Sequence, residues 1–412
     1  MNANKDWRTI VLLGIVHASS HFFQLILPTL FFYLNREFGY DYLELGFLVT
    51  CFFLISGLGQ ASSGFIVDRI GPAPVMFFGL GAFVLSALML ALAPSYGWLV
   101  CAALIGGAGN SVFHPVDYFI INHQISAPRL GHAFSVHGLT GNVGWALAPV
   151  FITAISAAFS WRVALFAVAA LISIILILAI WQRELWGKVR PESDKSSAVD
   201  TADLSQQSIM STLITLTKKP ALWGAFFFFA FGSIALSAVQ NYTIPLFTSI
   251  YGLSQIIAGS TLSAYMIAAA VGMAAGGFLA GATAKTERII FLAFCLAGLC
   301  MLLLAVNKVG AYIAIFLVVG AGFFSGIAAP SRDMLIRRVA PKGATGTVYG
   351  LVYSGMDVGA STAPVVFGYM VDANFTAGPW VGAAVAFVIS ALLALAVAHA
   401  AQTSLPHRSD IS

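Results

Sequence analysis

The sequence predicts an all-α membrane protein: twelve transmembrane helices in two six-helix bundles related by a tandem repeat. Three observations predict it. Apolar residues make up 59% of the chain and charged residues 9%, with a mean hydropathy of +0.90, whereas a soluble domain carries about a quarter charged residues. The apolar material divides into runs of about 20 residues, the length that crosses a bilayer. The two halves also share glycines and prolines at a constant offset. Adding 215 carries Gly107, Pro115, Gly131, Gly144 and Pro149 onto Gly322, Pro330, Gly346, Gly359 and Pro364, and Asn142 onto Asp357. Adding 213 carries Gly39, Gly46, Gly59 and Gly64 onto Gly252, Gly259, Gly272 and Gly277. A chain with 39 glycines gives some matches by chance, but not a constant offset over both residue types inside apolar runs. Tandem repeats with a substrate site between them are a common transporter plan.

The predicted spans, in order, are 8–33, 43–67, 75–93, 98–122, 133–155 and 161–182, then 220–248, 256–281, 289–306, 311–336, 347–370 and 380–400. They define a first bundle over 1–182, a linker over 183–219 and a second bundle over 220–412. The linker is rich in Ser, Asp, Lys and Gln and reads as solvated, with one amphipathic turn near Ser208–Leu216. With both termini inside, 16 of the 20 Lys and Arg fall on the inner side, including Lys5, Arg8, Arg69, Arg129 and those of the linker. Only Arg36, Arg162 and Lys308 fall outside. This positive-inside bias fits an even number of spans and accounts for the net charge of +4 without a nucleic-acid partner. The first apolar run reads as a full span, not a cleavable signal peptide. Cys51, Cys101, Cys295 and Cys300 all fall inside spans and read as packing residues.

Between spans 2 and 3 the chain reads Gly64-Phe-Ile-Val-Asp68-Arg69-Ile-Gly71. This resembles the Gly-x-x-x-Asp-Arg-x-Gly signature of the major facilitator superfamily, at the loop where that family carries it. The resemblance implies a latch on the inner side, in which the glycine lets helices approach and the Asp pairs with charges and a helix end. The repeat copy, Gly277-Phe-Leu-Ala-Gly281, has no acid, so the latch belongs to the first half. Span 4 carries Gly107-Ala-Gly109-Asn110-Ser111-Val112-Phe113-His114-Pro115. With a histidine early in span 1 and Gly138, Gly141, Gly144 and Pro149 in span 5, it resembles the fosmidomycin-resistance group of that superfamily. Helix packing is the competing reading of those glycines. The resemblance implies two bundles that rock around a central cavity, and proton-coupled export of a small, anionic compound.

Charges within a bilayer cost about 2.5–3.5 kcal/mol each at the centre, so the polar residues inside spans are the candidate site. His17, His21 and Gln24 share one stripe of span 1, and Asn110, His114 and Asp117 share one of span 4. His17 and His114 are each roughly 13 Å deep in a core about 30 Å thick. Adding 215 to Asp117 gives Arg332, so these opposite charges occupy equivalent places and are expected to face each other across the cavity. The offset carrying Pro28 onto Pro245 carries Gln24 onto Asn241, next to Gln240, which suggests a polar ring from spans 1, 4, 7 and 10. The candidate substrate-binding residues are therefore His17, His21, Gln24, Asn110, His114, Gln240, Asn241 and Arg332.

An imidazole titrates near neutrality, and an Arg forks onto a carboxylate or phosphonate. Hence His114, Asp117 and Asp357 are the candidate proton carriers, and Gly64, Asp68, Arg69 and Gly71 the gate. A structural ion pair is the equal alternative for Asp117 and Arg332, and helix–helix hydrogen bonding for Asp357. His137 and Asp333 read as lying near the inner boundary, and Phe226–Phe229 as lipid-facing or packing. No phosphate loop, metal-ligand quartet or catalytic constellation is legible, so no cofactor, no metal and no enzyme activity is expected. The expected partners are a small-molecule substrate, protons and the lipid bilayer, with the monomer as the working unit and a bacterial inner membrane as the location. Uptake of a carboxylate by a proton symporter is the alternative to export, and a solute sensor ranks below both.

Overall fold

The computed structural model describes residues 3–187, 220–283, 285–339 and 345–403. The linker turn expected near Ser208–Leu216 lies outside the described residues. The helices are α1 (Ala3–Gln24), α2 (Ile26–Phe38), α3 (Tyr42–Ile70), α4 (Pro72–Ala91), α5 (Tyr96–Asn110), α6 (Phe113–Gln124), α7 (Leu130–Ala158) and α8 (Trp161–Trp181). The second half has α9 (Pro220–Tyr251), α10 (Gln255–Ala282), α11 (Thr286–Ala305), α12 (Ala311–Val339), α13 (Thr345–Asp372) and α14 (Gly378–Thr403).

Among the described residues these fourteen helices make twelve rods, because α1 runs into α2 and α5 into α6. Eleven rods are long and apolar enough to cross a membrane. The remaining one, α13, has 28 residues, more than the about 20 a span needs. Each rod coincides with a predicted span to within a few residues. Both interruptions are in the first half, at Leu25 and at Ser111–Val112, and a proline follows each closely, Pro28 and Pro115. A proline has no N–H to donate and crowds the carbonyl four residues back. Pro245 and Pro330 lie inside unbroken α9 and α12, so the repeat keeps the residue but not the break. Large apolar side chains such as Ile177, Trp181, Phe278 and Phe316 point outward and are exposed, as lipid contact requires.

Two long seams join the halves, α3 against α13 and α7 against α10, with a smaller contact of α2 on α9. The repeat maps α3 onto α10 and α7 onto α13, so each seam is the image of the other. The shared glycines and prolines meet there. A Cβ on Gly46 would collide with the Pro364 carbonyl, and one on Gly259 would lie 3.3 Å from the Pro149 carbonyl. Within each half the pattern recurs: Gly107 presses on the Phe52 carbonyl and Gly322 on that of Tyr265, while Gly144 presses on Ala18 and Gly359 on Ala230. Small residues at such crossings let helix backbones approach in a medium that gives no hydrophobic drive between them.

Candidate functional site

A cavity of about 130 Å³ lies between the halves. Asn142 and Trp145 of α7 line it from the first half, and Phe229, Ser233, Tyr265 and Arg332 from the second. Arg332 donates from Nε to Asp333 Oδ1 at 3.0 Å, and its guanidinium lies 5.0 Å over the Phe229 ring. The ring face and the carboxylate both favour the cation, and together they hold a planar donor group at the cavity wall.

Behind Trp145 sits an assembly of four histidines and one carboxylate. His17 and His21 are one turn apart on α1, His114 and Asp117 lie on α6, and His137 lies on α7. The Gly144–Ala18 approach brings α7 onto α1. Gly141 leaves the space for the rings, since a Cβ there would be 3.0 Å from His21 Cε1 and 3.1 Å from His17 Nε2. His17 Nδ1 donates to Asp117 Oδ2 at 2.8 Å, and His137 Nε2 donates to the same oxygen at 3.2 Å. The His17 and His137 rings stack at 3.5 Å, with His21 at 4.5 Å and His114 at 5.4 Å from His17. His17, His21, His137 and Asp117 are buried and His114 is half-buried.

A separate polar chain runs from the cavity-lining Trp145 through α1 and α5 to α3. Trp145 Nε1 donates to Gln24 Oε1 at 2.9 Å, Gln24 Nε2 to Asn110 Oδ1 at 3.1 Å, and Asn110 Nδ2 to Ser56 Oγ at 2.8 Å. The His21 ring lies 4.4 Å from Trp145. Gln24 and Asn110 both sit at the helix breaks, and their side chains bond to each other, to Trp145 and to Ser56.

The structure thus brings together His17, His21, His114 and Asp117 as one group and Gln24 with Asn110 as another. Of the eight expected substrate-binding residues, Arg332 lines the cavity directly. Several expectations need correction. Asp117 and Arg332 do not pair: each has a nearer partner, the histidines for one and Asp333 for the other. His137 is not a boundary residue, because α7 starts at Leu130 and carries it into the buried assembly. Asn241 is buried and donates to Ser237 of its own helix at 2.7 Å, with Gln240 buried beside it, so the ring expected from spans 1, 4, 7 and 10 does not close. Gly64 has open space where a Cβ would stand, so no helix crosses closely there. Of the Phe226–Phe229 run, Phe227 is exposed while Phe228 and Phe229 are buried, in keeping with the packing reading, and they also line the cavity. The other gate residues stand at the turn between α3 and α4. Gly71 has φ +87° and ψ 165°, a conformation left to glycine, and Asp68 and Arg69 are exposed. Asp357 is half-buried on α13, its Cγ 3.2 Å from the Cβ position of Gly57 on α3. The parts that sequence reading missed are Trp145, Asn142 and Phe229; their span positions were legible, but not which way each faced.

At the end of the bundle that carries the Gly39–Asp41 turn, the α3–α13 seam is closed. The Asp372 carboxylate accepts from the Tyr42 and Leu43 amides at 3.0 and 2.8 Å, capping α3 from the other half. Thr50 donates to the Ser361 carbonyl at 2.5 Å, and Tyr242 to that of Pro364.

Twelve helical rods in two repeat-related halves, with a largely apolar cavity that carries Arg332 between them, define a polytopic membrane protein of the transporter type. The chain belongs to the Major Facilitator Superfamily, whose family model matches residues 12–364. It is 25% identical to an uncharacterized transporter of that superfamily, YfnC of Bacillus subtilis (strain 168), over 88% of this chain and 86% of that one. It is 29% identical to the fosmidomycin resistance protein of Escherichia coli (strain K12) over 64% of this chain and 63% of that one. It is 26% identical to a probable nitrate/nitrite transporter, NarK2, of Mycobacterium tuberculosis (strain ATCC 25618 / H37Rv), over 87% and 89%. Its fold is similar to that of a bacterial homolog of the human lysosomal transporter Spinster, solved in an inward-facing and unoccupied conformation. The TM-score is 0.76 with 15% identity, covering 98% of both chains. The protein is a membrane-embedded transporter of a small molecule and not an enzyme.

Proposed function

We propose that this chain is a secondary transporter that exports a small anionic solute by alternating access, coupled to proton movement. The observation that carries the reading is Arg332, a guanidinium held on Phe229 and Asp333 at the wall of the cavity between the halves. A fixed cation beside apolar rings suits a compact anion such as a carboxylate or phosphonate. The Escherichia coli relative is named for resistance, which favours export. The mycobacterial one is named for nitrate and nitrite, which favours an anion.

The Lys and Arg bias puts both termini in the cytoplasm, with a bacterial inner membrane as the location and a monomer as the working unit. The closed α3–α13 end then faces outward, and the Asp68–Arg69 turn faces inward. In that orientation the conformation is closed to the outside, and Asp68 and Arg69 stand exposed at the inner end. We place the coupling on Asp357, a carboxylate on the very seam that must open and close. His114 and Asp117, the other expected proton carriers, stand in the histidine assembly, whose own chemistry is argued below.

The test uses proteoliposomes of purified protein with a pH-sensitive dye, challenged with small phosphonates and carboxylates under an imposed gradient. Export predicts proton movement opposite to the solute, needing a higher solute concentration in Arg332→Ala. Proton movement in the same direction as the solute would replace export with uptake symport. Absence of proton flux while a labelled anion still crosses would remove the coupling.

A further inference from the structure

We propose that the histidine assembly of the first half is a binding site for a first-row transition-metal dication of the zinc, nickel or cobalt kind. His17, His114 and His137 each offer one ring nitrogen, and the three nitrogens lie within 4.8 Å of one another. Zinc bound by imidazole stands about 2.0–2.1 Å from each nitrogen, so nitrogens around one ion lie roughly 3.3 Å apart, and binding would draw the three nitrogens together and turn the stacked His17 and His137 rings apart. Neutral imidazole is the ligand that such ions prefer over Mg²⁺ or Ca²⁺, which take oxygen.

Asp117 prepares the rings for this. A neutral imidazole has one N–H and one lone pair. Because His17 spends its Nδ1–H and His137 its Nε2–H on the same Asp117 oxygen, each keeps its lone pair on the other nitrogen. A carboxylate that fixes the tautomer of two ligand histidines is the outer-shell arrangement metal sites use. A fourth ring is at hand. His21 is buried, neither of its ring nitrogens has a hydrogen-bond partner, and its ring is 4.5 Å from His17. His114 Nδ1 is likewise buried and without a partner. Buried polar atoms in native proteins are nearly always satisfied, and unpartnered imidazole nitrogens beside one another are what a cation would satisfy. The assembly joins α1, α6 and α7, so an ion there ties three helices of one half together beside the cavity. The second half has Ile234 in α9 and Arg332 in α12 near the equivalent positions, so the site is confined to the first.

The test is direct metal binding by the full-length protein, purified with a tag free of histidine and stripped with chelator. Titration with Co²⁺ should give one saturable equivalent with the visible absorption of a nitrogen-ligated, four-coordinate ion, displaced by Zn²⁺. His17→Gln and His137→Gln should each abolish that equivalent, and Asp117→Asn should weaken it by about 10–100-fold. His123→Gln, at an exposed position, should leave it unchanged. If the cluster variants do not fold, X-ray absorption at the zinc edge of the unaltered protein still decides, because it should show imidazole scattering from at least three rings. Absence of a saturable equivalent, its survival in His17→Gln and His137→Gln, or an oxygen-only coordination shell would each overturn the proposal. None of these readouts depends on transport, so failure here leaves the transport reading untouched.

Discussion

Arg332 is the residue on which substrate chemistry turns. It is an always-charged, planar donor group at the cavity wall. Removing one partner of a charge-assisted hydrogen bond costs about 1.5–3 kcal/mol, so Arg332→Ala should raise KM for the anion about 10- to 100-fold in proteoliposome uptake assays. Arg332→Lys should recover part of that loss, since it keeps the charge and loses the fork. Asp357 lies on the α3–α13 seam against Gly57. In Asp357→Asn, solute exchange down its own gradient should persist while proton-driven accumulation disappears. Unchanged accumulation in that variant would move the coupling elsewhere.

Individual helices set how the seams open. Gly46 lets α3 lie against the Pro364 carbonyl of α13, where a Cβ has no room. Gly46→Ala should therefore hold this end apart and favour the opposite conformation, seen as increased labelling of a cysteine placed at position 50. The repeat-equivalent Gly259→Ala meets the Pro149 carbonyl at a longer 3.3 Å and the side chain of Thr153 at 2.8 Å; a side chain yields more readily than backbone, so its effect should be milder. Asp372 caps the N-terminus of α3 from across the seam. Charge at a helix N-terminus contributes about 0.3–1 kcal/mol, so Asp372→Asn should shift the closed-to-open ratio by about two- to fivefold in distance measurements between spin labels.

At the scale of the whole molecule, the two seams exchange under the repeat, and transport requires the halves to rock about the cavity that both flank. A disulfide across one closed end should stop that motion. With the native cysteines replaced, Thr50→Cys together with Ser361→Cys joins positions already in hydrogen-bond contact. Oxidation should abolish transport and reduction restore it. Transport by the oxidised, fully cross-linked protein would show that this seam need not open.

Much of this architecture is written in the order of residues. Hydropathy is local, so the twelve spans could be read from composition along the chain. The repeat marked Gly46, Pro149, Gly259 and Pro364 as special before anything showed that they meet in pairs across the seams. His17, His21, His114 and Asp117 were legible as costly residues on common helix faces. Their partners were not. Equivalence under the repeat suggested that Asp117 faces Arg332, yet α5 and α6 part at Ser111–Val112 while α12 runs on, and each charge has a nearer neighbour. His137 joined the assembly only because Gly141 and Gly144 let α7 close onto α1. The sequence by itself determined how many helices cross, where they begin and end, and which small residues permit contact, because these depend on hydropathy and period along one chain. Only the tertiary structure decided which polar groups share a site, because that depends on how each helix is rotated about its axis and where it breaks, and both are set by neighbours distant in sequence.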